Sequence, residues 1–218
     1  MNVPNALTLL RIFFVPLLVA ALVQEDSSFH LFGLVLSNKV VALMIFLAAA
    51  FTDLMDGYLA RRWNQITTLG MLLDPIADKL LISAALVALV QVHRVPAWMA
   101  VLIIGREFAV SGLRSIAASE GYTIQASELG KTKMVTQVAA IALLLISEEL
   151  PGVAPIASLA LWGAMVFALV SAADYVRKFW RRIDESIKER RRIELIRLEK
   201  ARQRSVMRAA AAARQRTR

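Results

Sequence analysis

Leu43-Met44-Ile45-Phe46-Leu47-Ala48-Ala49-Ala50-Phe51-Thr52-Asp53-Leu54-Met55-Asp56 decides how the chain is read. An apolar run ends in two carboxylates three residues apart. Extended outward, the run covers 36–58, close to the roughly 20 residues that cross a bilayer. Similar runs recur at 5–23, 76–93, 96–117, 131–148 and 154–176. The connections between them are short. The pattern predicts an all-α integral membrane protein: a six-transmembrane-helix bundle over 1–176, then a basic cytoplasmic tail over 177–218. Arg11 ahead of Val19-Ala20-Ala21 gives the first run some likeness to a secretory leader. Pro4, Asn5, Thr8 and Arg11 make a polar helical face instead of a charged leader, so an uncleaved helix is expected.

Composition supports that class. Of 218 residues, 58% are hydrophobic, and the formal net charge is +9. Mean hydropathy is +0.57. Soluble domains carry about 45–50% apolar residues. The absence of cysteine excludes disulfides, zinc-thiolate sites and thiol nucleophiles. His30 and His93 are too few for a histidine-rich metal centre. Residues 1–175 carry 10 Lys/Arg against 12 Asp/Glu, a net of −2; residues 176–218 carry 16 against 5, a net of +11. The basicity belongs to the tail, and no stacking aromatics accompany it, so no nucleic-acid partner is expected.

Orientation follows from the basic residues at the span ends. One side receives Arg11, Arg61, Arg62, Lys79, Arg106, Arg114, Lys131, Lys133 and the tail. The other receives Lys39, Arg94 and both histidines, with Glu25, Asp26, Glu148 and Glu149. Six spans put both termini on the first side, the cytoplasm.

Asp53 and Asp56 close the second span, and Asp74 and Asp78 open the third. Each charge deep in a membrane helix costs roughly 2.5–3.5 kcal/mol, so such residues mark function. Spacings of i, i+3 and i, i+4 put each pair on one helix face. Four converging anions would require cations, and all-oxygen ligation suits Mg²⁺ or Mn²⁺. Plainer readings exist for each residue. Asp74 before Pro75 could cap the third helix. Asp53 and Asp56 could pair with Arg61 and Arg62, and Asp78 with Lys79 could be a solvated pair. None of these explains why four acids gather on one membrane face.

Written out, residues 53–78 are Asp53-x2-Asp56-Gly57-x2-Ala60-Arg61-x8-Gly70-x3-Asp74-x3-Asp78. This resembles, at every specified position, the signature of the CDP-alcohol phosphatidyltransferase family. The similarity continues through Pro4–Arg11, Ala60–Gln65, Asp74–Lys79, Gly105-Arg106-Glu107, Ser111–Arg114 and Gly130–Lys133, over roughly residues 1–175. Ser115–Leu129 matches less closely, and the tail lies outside the resemblance.

The resemblance implies transfer of a phosphatidyl group from CDP-diacylglycerol to an alcohol, with release of CMP. The matching branch uses sn-glycerol 3-phosphate and makes phosphatidylglycerol phosphate. Asp53, Asp56 and Asp74 would hold Mg²⁺ or Mn²⁺ against the pyrophosphate. Asp78 would be the general base on the attacking hydroxyl and could also touch metal. Asn5, Thr8, Arg11, Gly57, Ala60, Arg61 and Gly70 would bind the CDP-lipid. The plain reading of the first three is an interfacial polar stripe; Gly57 and Ala60 could be small-residue packing, and Gly70 a turn. Arg106, Arg114, Lys131 and Lys133 would hold the acceptor phosphate. Topology alone could explain the lysines; it explains Arg106 poorly, because that residue and Glu107 lie inside an apolar run. Glu107 could pair with an arginine or take a hydroxyl.

The tail continues the last span through Phe179, Trp180, Ile183 and Ile187 at helical spacing, then reads as disordered from about residue 200. It is either solvated or attracted to anionic membrane lipid. A homodimer is compatible with helices that must cover their faces. Two competing functions stand beside the main one: the same chemistry on inositol phosphate, serine or a second lipid, and cation transport through intramembrane acids. Clustering of all four acids at one end argues against a transport path.

Overall fold

The computed structural model describes the backbone of residues 3–24, 28–31, 34–63, 68–119, 121, 128–147 and 149–216. Side chains are described for 5–24, 36–53, 55, 73, 75–119, 121, 134–147, 149–185, 188 and 191–200. The fold is mostly helical: α1 (Val3–Val23), α2 (Asn38–Trp63), α3 (Thr68–Gln91), α4 (Ala97–Ser119), α5 (Glu128–Ile146) and α6 (Ala154–Arg216). A single 3₁₀ turn, Pro151–Val153, leads into α6.

All six expected runs are helical, with three corrections. First, an all-α chain is not quite what folds. Between α1 and α2 runs a hairpin of β1 (Ser28–Leu31) and β2 (Leu34–Ser37), antiparallel with Ser28 opposite Ser37. Ser37 then caps α2, its Oγ accepting from the Val40 amide at 3.3 Å, and the same hydroxyl bonds the Glu149 carboxylate across the molecule. Second, α3 begins at Thr68, eight residues before the expected start, so Pro75 lies inside the helix. Asp74 is therefore an interior helical residue and not a cap. Pro75 has no N–H to give to the preceding turn, and its own carbonyl accepts from Lys79 Nζ at 2.9 Å. Gly70 is helical too. Third, α6 runs unbroken to Arg216. The stretch read as disordered from about 200 is rich in Ala, Arg and Gln, which are strong helix formers.

Alanines fill the gaps between large side chains in the core, and many large apolar residues also face outward. Ala42, Ala49, Ala85, Ala88, Ala157 and Ala164 are buried around Phe46, Leu86, Leu89 and Ile103. Phe13, Phe51, Val101, Val135 and Leu159 point outward and are more than half exposed. Small interfacial residues let helix backbones approach closely where lipid offers no hydrophobic gain. Among the described residues, two helical stretches, Asn5–Val23 and Pro151–Glu185, are long and apolar enough to cross a membrane, with a shorter apolar helix at Met134–Ile146. Asp53 and Asp56 interrupt α2, Asp74, Asp78 and Lys79 interrupt α3, and Arg106, Glu107 and Arg114 interrupt α4.

Candidate active site

The core stripes of three helices change character at the same end of the bundle. On α2, Ala42, Phe46 and Ala49 are buried, and the same register continues into Asp53 and Asp56. On α3, Leu89, Ala85 and Ile82 are buried, and the register runs back through Asp78 to Asp74. On α1, Leu22 and Leu18 give way to buried Arg11, Thr8 and Asn5. Because α1 packs against both α2 and α3, its polar face meets the carboxylate end directly. The interfacial-stripe reading of Asn5, Thr8 and Arg11 is overturned: all three face inward.

An ion pair between helices marks the meeting point. Arg11 Nη1 lies 2.8 Å from Asp53 Oδ1, with the Arg11 side chain 0% and the Asp53 side chain 21% exposed. The plainer sequence reading offers Arg61 or Arg62 as partners for Asp53 and Asp56; the structure gives Asp53 a cation from α1. Of the four carboxylates, Asp53 and Asp78 are described, and Asp78 is half-buried. The side chains of Asp56 and Asp74 lie outside the described residues, as do those of Gly57, Ala60, Arg61, Gly70, Lys131 and Lys133. Their backbones belong to α2, α3 and α5. Among the described residues, no three carboxylates or histidines come together as metal ligands.

A second cluster joins α4 to α6. Arg106 is half-buried, and three of its donors are committed: Nε to the Ala168 carbonyl at 3.0 Å, Nη2 to Ser171 Oγ at 2.7 Å, and Nη1 to Glu107 Oε1 at 3.0 Å. Glu107 thus pairs with an arginine, one of the two readings the sequence leaves open. Two turns on, the Arg114 guanidinium lies 5.9 Å from the centre of the Tyr175 ring, within cation–π range. Tyr175 is 7% exposed, and its hydroxyl is buried with no hydrogen-bond partner among the described residues. Ser171 and Tyr175 stand one turn apart on α6 and hold Arg106 and Arg114 of α4. Sequence reading missed both, since a serine and a tyrosine in an apolar run read as helix packing.

Between α3 and α4 opens a cavity of about 440 Å³ that Lys79, Ser111, Arg114 and Ser115 line with Ile76 and Phe108. Arg114 is near enough to repel both Lys79 and Arg106. Lys79 follows Asp78 on α3, so this cationic cavity adjoins the acidic end of that helix.

These helices carry the signature of a lipid-modifying transferase class, and comparison with known proteins agrees. The model of the CDP-alcohol phosphatidyltransferase family matches residues 1–170, and the chain belongs to that family. It is 41% identical over 200 residues to the CDP-diacylglycerol–glycerol-3-phosphate 3-phosphatidyltransferase of Bacillus subtilis, covering 85% of this chain and 98% of the relative. It is 38% identical over 183 residues to a probable phosphatidylglycerophosphate synthase of Mycobacterium tuberculosis, covering 84% and 83%. A cardiolipin synthase (CMP-forming) of Oryza sativa is 36% identical over 208 residues, covering 83% of this chain and 58% of that protein.

Proposed function

We propose that the chain transfers the phosphatidyl group of CDP-diacylglycerol to sn-glycerol 3-phosphate, giving phosphatidylglycerol phosphate and CMP. The observation that carries the reading is the meeting of the inward polar face of α1 with the acidic ends of α2 and α3, joined by the Arg11–Asp53 pair. The relatives in Bacillus subtilis and Mycobacterium tuberculosis support the choice of acceptor.

Asp53, Asp56 and Asp74 would hold Mg²⁺ or Mn²⁺. Their chemistry fits: the donors are carboxylates, the chain has no cysteine, and Asp53 already draws a cation to itself. Bound to these carboxylates, a divalent ion would supply charge neutralisation for the pyrophosphate and so favour CMP as leaving group. Arg11, with Asn5 and Thr8 beside it, holds the nucleotide end of the CDP-lipid, helped by Gly57, Ala60, Arg61 and Gly70. Asp78 takes the proton of the attacking hydroxyl. Arg106, Arg114, Lys131 and Lys133 hold the acceptor phosphate, with Arg106 and Arg114 oriented from α6. Arg106 already commits three donors to protein groups, so it ties α4 to α6 as well as contributing charge.

The same reading makes the protein multi-pass, with six spans over 1–176, cytoplasmic termini and the active site at the cytoplasmic face, followed by the basic tail from 177. The outward apolar faces and the distribution of basic residues support it. Membrane lipids are then both solvent and substrate, and a homodimer would cover part of the apolar surface. A labelled CDP-diacylglycerol assay against glycerol 3-phosphate, inositol phosphate, serine and phosphatidylglycerol tests the acceptor. CMP release with glycerol 3-phosphate well above the others is expected; preference for another alcohol would overturn the assignment.

A further inference from the structure

At the far end of the bundle, α3 turns into α4 through a residue of unusual conformation. His93 has φ 58°, a left-handed geometry that glycine adopts freely and side chains rarely do. Three backbone bonds fix the turn: the amides of Arg94 and Val95 both reach the Leu89 carbonyl, at 2.8 and 3.2 Å, and that of His93 reaches Val90 at 3.0 Å. The turn projects His93 and Arg94 from the end of α3, and both are exposed. It lies about 22 Å from Asp78 along the helix axis.

Beside this turn is a cavity of about 660 Å³, within the range of small-ligand sites. His93 and Arg94 line it from the turn, Trp98 from the first turn of α4, and Ser158, Leu161 and Trp162 from one face of α6. The two indoles meet edge to face, with ring centres 5.7 Å apart, and each is about half exposed. The lining therefore divides by chemistry. The cationic and hydrogen-bonding side chains come from the α3–α4 turn, and the apolar lining of Trp98, Leu161 and Trp162 comes from α4 and α6. The first turn of α4 adds the positive end of a helix dipole. Water-soluble anions would use only the first set, and a hydrocarbon only the second.

We propose that this cavity seats an anionic diacyl phospholipid, with Arg94 against the headgroup phosphate, His93 as a second donor, and Trp98 and Trp162 along the glycerol and upper acyl chains. The inference rests on the membrane reading above, and it adds a lipid site remote from the transferase chemistry. Arginine binds phosphate through two parallel N–H groups, and tryptophan suits the boundary between headgroup and hydrocarbon.

The test uses the full chain with Trp63→Phe and Trp180→Phe, which leaves Trp98 and Trp162 of the four tryptophans as reporters. Fluorescence is read in vesicles of phosphatidylcholine carrying a small, equal fraction of brominated phosphatidylglycerol or brominated phosphatidylcholine. Quenching by the anionic lipid is expected at about five- to ten-fold lower mole fraction. Arg94→Gln should remove that preference and leave quenching by phosphatidylcholine intact, while Arg94→Lys keeps part of it. Ser158→Glu, which puts a carboxylate in the cavity, should abolish it even if Arg94→Gln fails to fold. Equal quenching by both lipids in the parent, or a preference unchanged in Ser158→Glu, would overturn the proposal. So would relief of quenching by millimolar inorganic phosphate, which would mark a site for free anions. Absence of quenching by either lipid would instead deny that the indoles reach lipid, and the membrane reading would fail with it.

Discussion

Replacing Arg11 by Gln removes a fully buried cation from a carboxylate 2.8 Å away. At that separation two unit charges attract by about 6 kcal/mol with an effective dielectric of about 20. The Asp53 side chain keeps 21% of its surface exposed, so solvent screens part of that energy. Breaking a buried pair from one side costs roughly 3–5 kcal/mol, because the remaining charge loses its compensation. The lower end of that range, about 3 kcal/mol, is expected here. Asp53→Asn should destabilise for the mirror-image reason, leaving Arg11 uncompensated. The double variant leaves neither charge unpaired, so its loss should fall short of the sum by about 2 kcal/mol, as coupled sites do. Unfolding in mixed micelles, followed by helical circular dichroism, measures all four corners of the cycle. Additivity within a few tenths of a kcal/mol would refute the pair. Activity separates structure from chemistry, since the double variant should regain stability without regaining CMP release.

Asp78→Asn should nearly abolish CMP release while helicity and membrane insertion remain those of the parent; near-normal turnover would remove its role as base. Arg106→Ala should raise the KM for glycerol 3-phosphate more than that for CDP-diacylglycerol, and an equal rise in both would contradict the division of the site. Ser171→Ala should produce a weaker version of the same split, with Ser171→Thr restoring it, because the hydroxyl acts through the guanidinium it holds.

Periodicity made the helices legible, since runs of hydrocarbon-crossing length admit few alternatives. It misplaced the start of α3 because Asp74-Pro75 has the look of a helix beginning, while the helix actually continues through the proline. The hairpin before α2 is too short to give a pattern, and its tie to Glu149 joins residues far apart in sequence. The acidic ends of α2 and α3 were legible because charge in an apolar run is costly and therefore informative. Arg11 was visible as part of a polar face, but its partner was not: pairing between α1 and α2 depends on how the helices pack. Ser171, Tyr175 and the Ala168 carbonyl gave no signal at all, being neutral groups whose meaning comes only from the arginines above them. The end of α6 has the low complexity of a disordered tail, yet it folds as helix because Ala, Arg and Gln have high helix propensity.

The central claim is that the acidic ends of α2 and α3 work by holding divalent ions against the CDP-lipid pyrophosphate. CMP release by the purified protein, measured with glycerol 3-phosphate before and after chelation, tests it most directly. The account predicts that turnover vanishes on chelation and returns with added Mg²⁺ or Mn²⁺. Turnover indifferent to chelation would contradict it.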